Sequence, residues 1–112
     1  MGIGGTGLSD RLEQLEKLHA ADPADPFLNY GIALEHYKAQ RLEDALAWLD
    51  KTLELDSHYC YAYYQKAKLL SDLGDDDTAR AVLEAGMASA VEAGDEKARS
   101  EMAELLSVLD EM

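Results

Sequence analysis

The stretch Phe27-Leu28-Asn29-Tyr30-Gly31-Ile32-Ala33-Leu34 sets large side chains at Phe27, Tyr30 and Leu34 around a small one at Gly31. Steps of three and four residues place them on one face of a helix. The pattern returns as Tyr63-x-x-Lys66-Ala67-x-x-Leu70, offset by 36. Each copy is followed by a second pattern, Ala45-x-x-x-Leu49 and then Ala79-x-x-x-Leu83, offset by 34. Recurrence at such a period is the mark of a repeat architecture. Small residues at Gly31, Ala45, Ala67 and Ala79 would let antiparallel helices approach closely, with the large residues filling the space between them.

Outward from this core the periodicity stays helical, and no stretch reads as a strand. Leu8, Leu12, Leu15 and Leu18 predict a first helix with Ser9 as its N-cap. ADPADP ends it, because Pro disfavours the α conformation in the preceding residue, and Pro26 opens the next helix. Phe27, Tyr30, Leu34 and Tyr37 line one face of that second helix, which ends near Ala39. A third helix runs from Leu42 to Leu55, and a fourth from Tyr59 to Leu73 with Gly74 as its left-handed terminator. Asp75 to Asp77 cap a fifth helix that stops at Gly94. Ala98, Met102, Leu105, Leu106 and Leu109 form an amphipathic sixth, capped by Asp95. The expectation is an all-α chain of about six helices; a four-helix bundle with extra helices is the structural alternative.

The doubled pattern resembles that of the tetratricopeptide repeat family, large-x-x-large-small-x-x-large followed by Ala-x-x-x-large in the partner helix. The resemblance implies antiparallel helix–turn–helix repeats wound into an α–α superhelix. It divides a single domain, residues 9–112, into a flanking helix (9–20), repeat 1 (25–57), repeat 2 (58–93) and a capping helix (95–111), behind a Gly-rich tail (1–8). The offset of 36 implies two extra residues around Tyr37 to Arg41. Ser57 and Val91 stand where the family usually has Pro.

At 112 residues and 47% hydrophobic, the chain is one globular domain and not a disordered segment. Its net charge of -13, from 23 acidic and 10 basic residues, repels phosphate backbones and anionic lipid. Neither a nucleic acid nor a membrane is therefore expected as partner. A single cysteine, Cys60, suits a reducing compartment, and a cytoplasmic location is expected.

Chemical motifs are sparse. Gly2, Gly4 and Gly7 spell GxGxxG, but a dinucleotide site needs a preceding strand and a parallel sheet. The same residues with Thr6 loosely fit a myristoylation signal, without a polybasic second anchor. The run Asp75 to Asp77 lacks the spread of a calcium loop and its closing Glu. His19, His36, His58 and Cys60 lack metal-ligand spacing. No catalytic residue, metal or cofactor is expected, and the chain is not read as an enzyme.

Tyr59, Tyr61, Tyr63 and Tyr64 crowd the start of one helix and cannot all point inward. In the family resembled, one face of each repeat's first helix lines a concave groove. The resemblance then implies groove positions at Leu28, Ile32, Glu35 and His36, and at Tyr61, Tyr64, Lys68 and Asp72. Some family members grip a terminal carboxylate with Lys and Asn, and Leu28 and Ile32 stand in those places here. The expected function is a non-catalytic module, monomeric or weakly dimeric, that binds a peptide or protein segment. The alternative is a small structural protein that self-associates through Leu28, Ile32, Trp48 or the tyrosines.

Overall fold

The structure, a computed structural model, describes residues 7–111, which form six helices and no strand. Two compact units divide the chain, one ending at Leu55 and the other beginning at Asp56. Each unit holds three helices.

The first unit comprises α1 (Gly7–Ala21), α2 (Pro26–Lys38) and α3 (Leu42–Leu55). Asp25 caps α2 by accepting from the Phe27 amide at 2.9 Å, and Pro26 occupies the first turn, where its missing N–H costs nothing. The helix ends at Lys38, and in the turn beyond it Gln40 adopts φ 63°. There the Arg41 amide donates to the His36 carbonyl at 2.9 Å. Leu15, Leu28 and Ile32 make a buried cluster joined by Leu12 and Trp48. Ala33, Ala45 and Leu49 are also wholly buried.

The second unit comprises α4 (Cys60–Asp72), α5 (Asp76–Ala93) and α6 (Glu96–Asp110). Gly74 closes α4 at φ 87°, and the Asp75 amide donates to the Leu70 carbonyl at 2.9 Å. Asp75 and Asp95 cap α5 and α6 through the amides of Thr78 and Ala98. At Gly86 the helices meet so closely that a Cβ there would lie 2.6 Å from both the Tyr63 Cβ and the Met102 sulfur. The far end of α6 is held by Arg80 of α5. Its Nε donates to Asp110 at 2.9 Å and its Nη2 to the Leu109 carbonyl at 3.2 Å.

Helix bounds correct the register expected from the sequence. Pro26–Lys38 and Cys60–Asp72 begin and end 34 residues apart, as do the starts of α3 and α5. The offset between first helices is therefore 34, not 36, and no extra residues lie between Tyr37 and Arg41. Hydrogen bonds repeat at the same interval: Asn29 Nδ2 donates to the Pro23 carbonyl at 3.1 Å, and the Tyr63 hydroxyl to the Ser57 carbonyl at 2.9 Å. The small residue of α2 that matches Ala67 is thus Ala33; both are wholly buried. Gly31 is half-buried. Phe27, expected inward, is 62% exposed.

The interval extends backwards as well. Leu15, Leu49 and Leu83 are spaced by it and all buried. Ala21 and Leu55, the last residues of α1 and α3, are spaced by it too. Helix α1 therefore holds the position of a repeat's second helix. It begins at Gly7, so Ser9 lies inside it and is not its cap, and Gly7 and Leu8 are not tail. The remainder of the expected tail lies outside the described residues. Among the described residues no helix is long and apolar enough to cross a membrane.

Candidate protein-binding faces

On α4, Tyr61 and Tyr64 stand with ring centroids 6.4 Å apart at 64°, edge towards face. Both are half-buried, which leaves aromatic surface exposed beside a polar tip. The Lys68 ammonium lies 5.8 Å from the Tyr64 ring centroid, within range of the ring's negative face. Tyr61 is bound by the Glu101 side chain of α6, and that acceptor, with partial burial and the carboxylate's charge, pushes its phenol up to about 12. Lys68 and Asp72 are exposed. These four expected site residues share one stretch of α4.

The four expected on α2 are placed differently. Leu28 and Ile32 are buried in the cluster with Leu15, where α1 covers them. Glu35 is 2% exposed and accepts from Arg11 at 3.1 Å and Lys38 at 3.3 Å. His36 accepts from Arg41 at 3.0 Å. Three of these side chains are buried and the fourth is engaged in the turn after α2. With the offset at 34, the α2 residues matching Tyr61, Tyr64, Lys68 and Asp72 are Phe27, Tyr30, Leu34 and Lys38. Pro23 was the available signal. It precedes Ser57 by the same interval that separates Ser57 from Val91, the pair already read as marking the family's Pro position.

The chemically reactive candidates are occupied elsewhere. Cys60 is buried, and desolvation first, then Asp95 and Asp56, push its thiol up and away from the reactive thiolate. His19 packs edge-on against Trp48 with centroids 5.0 Å apart, and His58 lies 3.1 Å from Glu92. Asp75 caps its helix, and Asp77 pairs with Arg80 at 2.9 Å. Among the described residues no group of three His, Cys, Asp or Glu could hold a metal ion.

No family model matches the chain. It is 31% identical over 99 residues to the TPR repeat-containing protein PA0015 of Pseudomonas aeruginosa, covering 88% of this chain and 94% of that protein. The solution structure of a tetratricopeptide repeat domain protein from Salinibacter ruber matches with a TM-score of 0.77. Identity there is 33%, over 81% of this chain and 92% of that one. The TPR2B domain of yeast Sti1, in its complex with pHsp70, matches with a TM-score of 0.87 at 18% identity, over 94% and 84% of the two chains. With that identity along nearly the whole of the Pseudomonas protein, and a helix–turn–helix repeated every 34 residues, the chain belongs to the tetratricopeptide repeat family.

Proposed function

We propose that the chain is a non-catalytic module that binds segments of a partner protein, in the cytoplasm, through the exposed face of the first-position helix in each unit. On α4 the contact residues are Tyr61, Tyr64, Lys68 and Asp72; on α2 they are Phe27, Tyr30 and Leu34. The observation that carries the reading is the aromatic surface left at matching positions of both helices, with Phe27 62% exposed. Rigid aromatic side chains with a polar edge are the anchors that interfaces favour. The complex of the Sti1 domain with pHsp70 supports a protein as the kind of partner. The self-association alternative is weakened, because Leu28 and Ile32 are already covered by α1.

The test is site-specific photo-crosslinking in the native cell, with the probe at position 64 or at exposed Glu84 on α5. A segment captured only from position 64 would be synthesised and its affinity measured by calorimetry. Tyr64→Ala together with Phe27→Ala should weaken binding at least tenfold, with a melting temperature close to the parent. Equal capture from both positions, or a double variant that binds like the parent, would refute the reading.

A further inference from the structure

Tyr61 offers more than a ring to a partner. Its hydroxyl donates to the Glu101 side chain of α6, which fixes a carboxylate at the rim of a half-buried aromatic ring. The Tyr64 ring stands beside it at 64°, so the two form a corner and not a flat stack. A carboxylate has several acceptor positions, and one hydroxyl fills only one of them. Both arginines of the second unit are engaged elsewhere, Arg80 with Asp77 and Asp110 and Arg99 with Glu96. Lys97 stands one turn before Glu101 on α6, the order that pairs less well, and among the described residues no ion pair joins them. The field around Tyr61 is negative: Glu101 and Asp95 both act on its phenol, and Asp95 and Asp56 act on the adjacent Cys60. The ammonium of Lys68 lies on the Tyr64 ring instead, seven residues and about 10.5 Å of helical rise beyond Tyr61.

We infer that the Tyr61 ring and the Glu101 carboxylate together seat an arginine side chain of the partner segment, an inference that rests on the α4 face being the one used. The guanidinium lies over the ring, whose negative face attracts it, and turns its fork of N–H donors towards the carboxylate at the rim. A lysine fits less well, because its compact ammonium cannot stack on the ring and fork to the carboxylate at once. Lys68 repels a cation from the other end of the face, which confines the arginine to the Tyr61 end. The net charge of -13 draws any basic segment towards the chain but does not choose where it lands. A ring with a carboxylate held at its edge supplies that place.

The intact chain, labelled with nitrogen-15, is titrated at constant salt with three probes while the amide signals of Tyr61 and Glu101 are followed by NMR. The probes are N-acetyl-argininamide, N-acetyl-lysinamide and N-acetyl-citrullinamide, the last keeping the shape of arginine without its charge. The expected result is a saturable movement with the arginine probe, and about fivefold weaker binding of the citrulline probe. Glu101→Gln should weaken the arginine probe about three- to fivefold, and Tyr61→Leu by a similar factor. Glu84→Gln removes one exposed carboxylate from α5 and should change nothing, which separates the seat from the net charge. No saturable movement, equal affinity for arginine and either other probe, or an effect of Glu84→Gln as large as that of Glu101→Gln would each overturn the inference. Capture from position 64 is read independently, so the α4 face can stand while the seat fails, and a face that captures nothing fails on its own result.

Discussion

Two helical glycines in different surroundings, Gly31 on α2 and Gly86 on α5, answer oppositely to the same substitution. In a helix interior, Gly→Ala returns about 0.8–1 kcal/mol of backbone propensity. At Gly31 the new methyl would meet the Leu15 methyls at 3.4 Å, a contact that a leucine tip absorbs by a small rotation. Gly31→Ala should therefore stabilise by up to about 1 kcal/mol. At Gly86 the same methyl falls 2.6 Å from the Tyr63 Cβ and the Met102 sulfur. Carbon atoms pack at roughly 3.5–4.0 Å, so about 1 Å of separation must be found. Met102 can yield by rotation, but the Tyr63 Cβ is fixed to the α4 backbone, and the helices themselves must part. Overpacking of this kind costs about 1–3 kcal/mol, against which the propensity gain recovers about 1. Gly86→Ala should thus be neutral to about 2 kcal/mol destabilising, and the two variants should differ by about 1–3 kcal/mol. Urea unfolding followed by far-UV circular dichroism measures both. If Gly86→Ala is as stable as Gly31→Ala, the close approach of α4 to α5 is wrong.

Three further outcomes are expected. Gln40→Gly relieves a left-handed non-glycine residue and should stabilise by about 0.5–1 kcal/mol after its added unfolded-chain entropy, with a loss of stability in the same urea assay counting against it. Tyr61 should titrate near pH 12 when absorbance is followed at rising pH, and Glu101→Ala should bring it back towards the ordinary tyrosine value. Because its folded value lies above the unfolded one, the stability it contributes is fully present below about pH 10 and is lost as pH rises through 12. Cys60 should react slowly with a thiol reagent in the folded protein and at the rate of a free thiol in urea; fast labelling of the folded chain would contradict its burial.

Most helix ends were legible because the residues that set them act locally. Asp25 with Pro26, Gly74, and Asp95 each satisfy or terminate a backbone within a turn of themselves, and the helices stop there. Register was not legible from the large residues, because Tyr30-Gly31 and Lys66-Ala67 look alike at an offset of 36. What decides it is burial on the helix crossing, and Ala33 and Ala67 are the residues wholly excluded from solvent. The candidate face followed the same division. Tyr61 and Tyr64 could be read from the crowding of tyrosines that cannot all be core, whereas Phe27 was hidden by a pattern that made it look inward.

The Arg80 clasp has a consequence for how the chain comes apart. A helix ordinarily frays from its C-terminal end, one carbonyl at a time, because its last turn has no intrahelical donors to hold it. Here that last turn is gripped from α5 at the Leu109 carbonyl and the Asp110 carboxylate, while Asp95 secures the first turn. With both ends fastened, cheap partial fraying is suppressed, and α6 must leave α5 largely in one piece. Helix α6 thereby shares the cooperativity of the α5 helix it packs on.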